Sequence, residues 1–124
     1  MNKTVLITGA SRGIGKAIAI KFAKEGYKIA INSNKSKKEL EETKEKLLSC
    51  NIPVFAMQGD VGIYDFCKNF VSEVIANLGS VDILINNAGI SHIGLFSEMT
   101  PDEWNNIINT NLTSVYNLSS LVIP

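Results

Sequence analysis

Short runs of consecutive apolar residues alternate along the chain with longer segments of helical periodicity. The apolar runs lack alternating polar residues, which is typical of strands buried on both faces of a parallel sheet. They lie at residues 5–7, 29–31, 54–57 and 83–85. The pattern therefore predicts four parallel strands with helices between them.

The segments between the strands repeat their apolar residues every three to four positions, as amphipathic helices do. The expected stripes are Ile14, Ile18 and Phe22 in the first helix, Leu40, Leu47 and Leu48 in the second, and Ile63, Phe66, Phe70, Val74 and Leu78 in the third. A fourth helix is predicted from about Thr100, with the stripe Trp104, Ile107, Ile108, Leu112, Val115 and Leu118.

Capping residues mark the ends of these helices. Two Ser/Thr-x-x-Glu capping boxes lie at Ser36/Glu39 and Thr100/Glu103. Pro101 stands at a first helical position, and Gly26 and Gly79 follow the C-terminal ends of helices. Alternating strands and helices with short connections favour right-handed crossovers and an open sheet covered on both sides. We predict an α/β fold, a Rossmann-type doubly wound parallel sheet.

We expect residues 1–124 to form one domain that is the N-terminal part of a longer fold. A chain of this length has room for a single core. The fourth strand would form a sheet edge, and the fourth helix has apolar residues that no later element covers. The sequence therefore predicts a fold truncated after the fourth strand and fourth helix.

Charge and composition narrow the possible partners. Twelve basic residues balance twelve acidic ones, so no long-range field would attract nucleic acid or an anionic membrane. Cys50, Cys67 and His92 do not have the spacing of a metal site, so no metal is expected. No apolar stretch approaches the ~18 residues needed to span a bilayer, and we expect a cytoplasmic protein.

A glycine-rich turn follows the first predicted strand directly and leads into the first helix. It reads Thr-Gly-Ala-Ser-Arg-Gly-Ile-Gly at residues 8–15. In this position, glycines let the backbone approach a diphosphate while the helix N-terminus presents free amide groups and the positive end of its dipole. Taken alone, a glycine cluster makes a tight turn just as well, but its place between strand and helix favours nucleotide binding. We therefore expect residues 1–124 to be a dinucleotide-binding domain.

The glycine spacing, G-x-x-x-G-x-G, resembles that of the short-chain dehydrogenase/reductase family. Three further matches follow in order: Asp60-Val61 after the third strand, Asn-Asn-Ala-Gly at 86–89 after the fourth, and Asn111 in the fourth helix. Within the family, residues 10–12 and 81–84 are most similar to 3-oxoacyl-acyl-carrier-protein reductases, although sugar and steroid members share much of this sequence.

The resemblance implies an oxidoreductase that reduces a ketone, such as a 3-oxoacyl thioester, by hydride transfer. It implies these cofactor-binding residues: Gly9, Ser11, Arg12, Gly13, Ile14, Gly15, Asn34, Asp60, Val61, Asn87, Ala88 and Gly89. Asn111 matches the family's catalytic asparagine, which holds a water in a proton relay. Without its catalytic partners, we expect a structural role for Asn111 in this chain. The family's catalytic serine, tyrosine and lysine are expected beyond the fourth helix, so we predict that the 124-residue chain alone is inactive.

The residues after the second strand favour NADP(H) over NAD(H). An NAD-binding site usually has a carboxylate there for the ribose 2′-hydroxyl, whereas residues 32–36 read Asn-Ser-Asn-Lys-Ser. Arg12 and Lys35 could both reach a 2′-phosphate, and Ser33 or Asn34 could donate hydrogen bonds to it. For Lys37 and Lys38, a solvated helix start is the preferred interpretation.

Other candidate residues have bland interpretations. Tyr64 and Lys68 have the family's Tyr-x-x-x-Lys spacing but precede the fourth strand, so we interpret them as a chance match. His92 lacks a carboxylate partner in its motif and is expected to be a loop residue. Trp104 is expected in the core or an interface, and Tyr116 in packing.

Two functions of other classes stay open for this chain. It could be a catalytically inactive nucleotide-binding module, or an oligomerisation fragment whose apolar fourth helix pairs with another chain. In a full-length form, the resemblance implies a small-molecule or acyl-carrier-bound substrate and a homo-oligomer, a tetramer. No nucleic-acid or membrane partner is expected.

Overall fold

A computed structural model describes residues 3–124, so Met1 and Asn2 of the expected domain lie outside the described residues. Its elements are β1 (Thr4–Ile7), α1 (Gly13–Lys24), β2 (Lys28–Ser33), α2 (Lys37–Leu48), β3 (Val54–Gln58), α3 (Tyr64–Leu78), β4 (Ile83–Ile85), a 3-10 turn (Phe96–Glu98), α4 (Pro101–Ile108), a π-helical segment (Asn109–Thr113) and α5 (Ser114–Val122). The four predicted strands are confirmed to within two residues at their ends.

The four strands form one parallel sheet in the order β3-β2-β1-β4. Successive strands add on one side of β1 until β4 returns to the other side. The strand order therefore reverses between β1 and β4, and in open α/β sheets ligands bind at the carboxyl ends of the strands beside such a reversal. This parallel α/β architecture confirms the predicted Rossmann-type fold.

Alternate residues of β1 and β2 face opposite sides of the sheet and pack into two different layers of the core. Val5, Ile7, Ile29 and Ile31 contact the layer that contains α1 and α2. Leu6 and Ala30 contact the layer that contains α3 and α5. Both layers bury apolar side chains, so β1 and β2 are covered on both faces, as their uninterrupted apolar sequence predicts.

Helix α1 packs on the sheet through small residues rather than through the predicted stripe. Gly15, Ala19 and Ala23 are buried, whereas Ile14 is 73% exposed and Ile18 and Phe22 are only partly buried. The prediction for Ile14 was wrong because the face that approaches the sheet lies one residue further along the chain. Small side chains on that face let the helix lie close to the strands.

The buried faces of α2 and α3 agree more closely with the apolar pattern. Leu40 and Leu47 of α2 are buried, as are Phe70, Val74 and Leu78 of α3. Two of the expected stripe residues, Leu48 and Ile63, are instead exposed at helix ends. One of the buried α2 residues, Thr43, is polar. The apolar period therefore located both helices correctly, but one residue at an end of each stripe is exposed.

The predicted fourth helix is one helical region interrupted by the π-helical segment. Thr110 is buried within this segment, and Ser114, Asn117 and Leu118 are buried in α5 beyond it. Leu112 and Val115 of the predicted stripe are exposed. A π turn inserts one extra residue and rotates every later side chain about the helix axis by roughly 100°, so an apolar stripe drawn with a constant period fails here.

The predicted caps are largely confirmed. Thr100 and Glu103 form a complete capping box at α4, while Ser36 accepts from the Glu39 amide at α2 without the reciprocal contact. Gly26 and Gly79 have φ angles of 90° and 95° after α1 and α3, the conformation for which C-terminal glycines are favoured. Among the helices of residues 3–124, none combines the length and apolar character needed to cross a membrane.

Candidate functional site

A cavity of about 570 Å³ opens at the carboxyl ends of the strands, at the reversal between β1 and β4. Ten of the twelve predicted cofactor-binding residues line it: Gly9, Ser11, Arg12, Gly13, Asn34, Asp60, Val61, Asn87, Ala88 and Gly89. The other two do not line it, because Gly15 is buried under the turn and Ile14 points to solvent. The parallel topology thus brings together the motifs that follow β1, β3 and β4.

The turn after β1 depends on glycine for two distinct reasons. Gly9 and Gly13 have φ angles of 61° and 60°, in the left-handed region that favours glycine. A Cβ on Gly9 would also lie 2.9 Å from Ala88 Cα, and one on Gly15 would lie 2.5 Å from Gly9 O. Around Gly13, by contrast, no heavy atom of the described residues lies within 4 Å of the Cβ position.

The N-terminus of α1 lacks the side-chain cap that α2 and α4 possess. Its N-cap residue, Arg12, is extended and makes no capping hydrogen bond, and no acidic residue lies in the first turn. Free amide groups at a helix N-terminus need a partner, and an anion is a favourable one because of the helix dipole. The α1 terminus lines the cavity through Arg12 and Gly13, so it fits a phosphate group.

Thr8 and Asn87 join the glycine turn to the end of β4. Thr8 Oγ1 accepts hydrogen bonds from the amides of Asn87 at 3.0 Å and Ala88 at 2.8 Å. Asn87 Nδ2 donates to Thr8 O at 3.2 Å and Gly9 O at 3.0 Å. Both amide hydrogens of the Asn87 side chain are therefore used within the protein, and Asn87 holds the turn in place.

A second polar tie connects the turn to β2 and β3. Asn32 is buried, and its Nδ2 donates to Met57 O at 3.2 Å and Gly59 O at 3.0 Å. The main-chain carbonyl oxygen of Asn32 accepts a hydrogen bond from the Ala10 amide at 2.9 Å. Asn32 was not predicted as a site residue, because an asparagine at a strand end gives no sequence signal for which neighbouring strand it bonds.

Asp60 and Val61 lie at the cavity wall after β3. Asp60 Oδ1 accepts from the Gly62 amide at 2.8 Å, which fixes the turn. The carbonyl oxygen of Val61 accepts from Cys67 Sγ at 3.1 Å and from Asn117 Nδ2 at 3.1 Å. Burial, and more weakly the nearby Asp60 carboxylate, raise the pKa of the Cys67 thiol to about 11, so this thiol supports the wall and is a poor nucleophile.

The cavity wall next to β2 has mixed charge. The hydroxyl, amide and basic groups expected there are present, since Ser33, Asn34, Lys35 and Arg12 all line this wall. Glu39, in the first turn of α2, lines it as well. The prediction of NADP(H) rested on residues 32–36, which lie before α2 and contain no carboxylate, so it did not include Glu39.

Asn111 lies in the π-helical segment and ties it to the loop after β4. Its Oδ1 accepts from the Ile90 amide, and its Nδ2 donates to Ile90 O, both at 2.8 Å. Ile90 and Thr110 line the cavity, but Asn111 does not. Through these contacts Asn111 positions the loop after β4, while the proton relay stays an implication of the family resemblance.

His92 has a carboxylate partner that its sequence neighbours do not provide. Its Nδ1 lies 3.1 Å from Glu103 Oε2, while Glu103 Oε1 accepts from the Thr100 amide. That hydrogen bond is the main reason that the pKa of the Glu103 carboxyl is lowered. His92 lies in the loop after β4, as expected, and its carboxylate partner comes from α4 rather than from its own sequence motif.

The remaining candidates lie away from the cavity. Tyr64 and Lys68 are exposed on α3 and do not line it. Trp104 is 50% exposed, and Tyr116 is 66% exposed, so the packing role expected for Tyr116 is not observed within residues 3–124. Within this range, no group of three His, Cys, Asp or Glu side chains is placed to hold a metal ion.

A parallel sheet with a glycine turn and an uncapped helix N-terminus at its strand-order reversal is the arrangement of Rossmann-type folds, a class in which this place commonly binds a dinucleotide. The family model described as short chain dehydrogenase matches residues 3–124. The chain belongs to this family of oxidoreductases.

Individual relatives support the same assignment. The chain is 44% identical over 124 residues to 3-oxoacyl-acyl-carrier-protein reductase FabG of Staphylococcus epidermidis, covering 100% of this chain and 51% of the relative. It is 42% identical over 119 residues to the acetoacetyl-CoA reductase of Shinella zoogloeoides, covering 96% and 47%. The chain thus spans about half the length of the curated relatives it matches.

A solved structure has the same fold. The short chain dehydrogenase of Burkholderia cenocepacia J2315, in complex with NADP, superposes with a TM-score of 0.94 at 33% identity, covering 98% of this chain and 50% of that one. A protein of closely similar architecture therefore binds NADP.

Proposed function

We propose that this chain is the cofactor-binding half of an NADP(H)-dependent oxidoreductase that reduces a ketone, such as a 3-oxoacyl thioester, by hydride transfer. The observation that supports it most directly is the cavity at the strand-order reversal, where an uncapped helix N-terminus and Arg12 meet. Bound NADPH would supply the hydride. The residues that line the cavity would bind NADPH and orient it.

The phosphate groups of the cofactor have complementary partners in this proposal. The α1 amides and the open space at Gly13 suit the diphosphate. Arg12 and Lys35 suit a 2′-phosphate, because charge-assisted hydrogen bonds are the stronger kind. Asp60 and Val61 form the wall that, by the family resemblance, would lie against the adenine ring.

The substrate class comes from the relatives. The two curated relatives are named as reductases of a 3-oxoacyl group on an acyl carrier protein and of acetoacetyl-CoA, both 3-oxoacyl thioesters. We extend this substrate class, an acyl-carrier or small-molecule substrate, to the full-length form of this protein. A cytoplasmic location and a homotetramer belong to the same proposal.

The cofactor proposal is tested by titrating NADPH and NADH into the 124-residue chain and following the fluorescence of the reduced nicotinamide. Arg12→Ala should raise the Kd for NADPH about ten-fold or more, because hydrogen bonds to charged groups are worth about 1.5–3 kcal/mol. The Kd for NADH should change much less. Lys24→Ala, which removes a cation from α1 outside the cavity, is the matched control.

Equal changes for the two dinucleotides would contradict the 2′-phosphate assignment, and no binding of either would contradict the nucleotide site itself. Ketone reduction is tested separately with acetoacetyl-CoA and NADPH. We expect turnover from a full-length form and none from the 124-residue chain, since the family's acid/base residues contribute roughly 10²–10⁴ in rate. Efficient turnover by the 124-residue chain would refute the second expectation.

A second candidate, an inactive fragment that binds nucleotide or associates with another chain, is favoured by one observation. Large apolar side chains are exposed along the fourth helical region and the loop before it: Ile93, Leu95, Phe96, Leu112, Tyr116 and Ile123. Exposed apolar patches of this kind commonly mark interfaces. Size-exclusion chromatography of the 124-residue chain, with and without NADPH, distinguishes an associating chain from a monomeric cofactor-binding one.

A further inference from the structure

Glu39 is the acidic side chain on the cavity wall where a 2′-phosphate would bind. It is the third residue of α2 and lines the same cavity as Asn34, Lys35 and Arg12. Its main-chain amide donates to Ser36 Oγ at 3.2 Å, which holds the Glu39 backbone in the α2 cap. It is partly buried rather than fully exposed.

No cation neutralises this carboxylate in the described part of the chain. The ion pairs found among residues 3–124 are Lys21–Glu25 and His92–Glu103, and Glu39 takes part in neither. Lys35 and Arg12 line the same cavity without pairing with it. The wall therefore presents both signs of charge to a ligand.

The two forms of the cofactor differ at the group that this wall would face. NADP(H) has a 2′-phosphate, which a nearby carboxylate repels, while NAD(H) has a 2′-hydroxyl, which donates a hydrogen bond to a carboxylate. In dinucleotide sites the carboxylate that binds this hydroxyl commonly follows the second strand. Here the carboxylate lies in the first turn of the next helix, on the same cavity wall.

We propose that Glu39 is a specificity-determining residue that weakens the preference of this cavity for NADPH and allows NADH to bind as well. The inference rests on the proposed cofactor function and deepens it. Arg12 and Lys35 attract the 2′-phosphate, and Glu39 opposes them. The consequence is a cofactor site of dual specificity with a modest preference for NADPH.

The test compares the ratio of the Kd for NADH to the Kd for NADPH in the wild-type chain and in Glu39→Gln. We expect the variant to bind NADPH about two- to five-fold more tightly, the range for partly exposed charge interactions, and NADH no more tightly. All titrations are run at one low ionic strength, because salt screens interactions between charges and electrostatic effects are largest there.

The matched control is Glu42→Gln. It makes the same chemical change on an exposed part of α2 outside the cavity. Because this carboxylate does not line the wall, its loss should leave both Kd values unchanged.

A merely structural role of Glu39 would give a different result. Glu39 also favours α2 through the helix dipole, so its loss could weaken folding, but that effect would change both Kd values by the same factor. An unchanged ratio, or an equal ratio change in Glu42→Gln, would overturn the inference. If Glu39→Gln does not fold by circular dichroism, Glu39→Asp keeps the charge on a shorter side chain, and its ratio should lie above the wild-type ratio.

Failure of the inference and failure of the proposed function are distinguishable. Wild-type binding of NADPH with an unchanged ratio in the variants would overturn only the role of Glu39. Absence of binding of both dinucleotides to the folded wild-type chain would overturn the cofactor site and the inference together. The half-cofactors 2′,5′-ADP and 5′-AMP, which lack the nicotinamide, repeat the comparison at the adenosine end alone.

Discussion

Replacing each glycine of the turn after β1 by alanine should separate backbone strain from steric contact. At Gly13, the φ angle of 60° makes alanine strained, but the added Cβ meets no heavy atom of the described residues within 4 Å. The left-handed region costs a residue with a Cβ about 1–2 kcal/mol. Gly13→Ala should lower the free energy of unfolding by that amount.

Gly9→Ala should destabilise the protein more than Gly13→Ala does. The φ angle of 61° imposes the same strain, and the Cβ would in addition lie 2.9 Å from the backbone Cα of Ala88. Overpacking against atoms that cannot move away typically costs about 1–3 kcal/mol. The two costs together give about 2–5 kcal/mol, a large part of the ~5–15 kcal/mol that stabilises a typical domain.

Urea denaturation followed by circular dichroism measures both effects, with the wild-type chain as the reference. NADPH titration of the same variants gives an independent result. The Cβ of Gly13→Ala would project into open space at the cavity wall, so this variant should lose NADPH binding about ten-fold or more while it stays folded. A Gly9→Ala variant as stable as Gly13→Ala would refute the steric reasoning.

Three further results are expected. Thr4→Val should raise the free energy of unfolding in urea by about 1 kcal/mol, because Thr4 Oγ1 is buried without a hydrogen-bond partner among the described residues; a loss of stability would contradict this. Iodoacetamide should label the partly buried Cys50 well before Cys67, whose burial raises its pKa to about 11, and mass spectrometry showing the reverse order would be inconsistent with a closed cavity wall. A hydrogen bond from the Thr4 amide lowers the pKa of the Asp82 carboxyl below its ordinary value. The stabilisation from this hydrogen bond is therefore fully present above the ordinary pKa and is lost as pH falls through the lowered pKa. The stability difference between the wild-type chain and Asp82→Asn should be constant near neutral pH and narrow in acid.

The sequence predicted the parts of the fold that depend on local pattern. Uninterrupted apolar runs located all four strands, and Thr100 with Glu103 located the start of α4. The glycine turn could be placed at the cavity because strand, turn and helix follow one another directly in the chain. Each of these features is determined by residues that are close together in the sequence.

The remaining features depend on contacts between distant segments. The partner of His92 is on α4, and Glu39 reaches the cavity because α2 starts beside the end of β2. Neither contact has a sequence period. The π-helical segment contains Asn111, which bonds to the distant Ile90. Its extra residue has no signal in the apolar period, so the phase of the later helix could not be derived from an ideal helical repeat.

The close packing of α1 on the sheet links folding to ligand affinity. Because Ala19 and Ala23 leave no room between the helix and the strands, a larger side chain at either position would tilt the helix axis. The amide groups at its start would then aim at a different point in the cavity. A substitution that enlarges this part of the core is therefore expected to change the direction of the α1 amides as well as the stability of the fold.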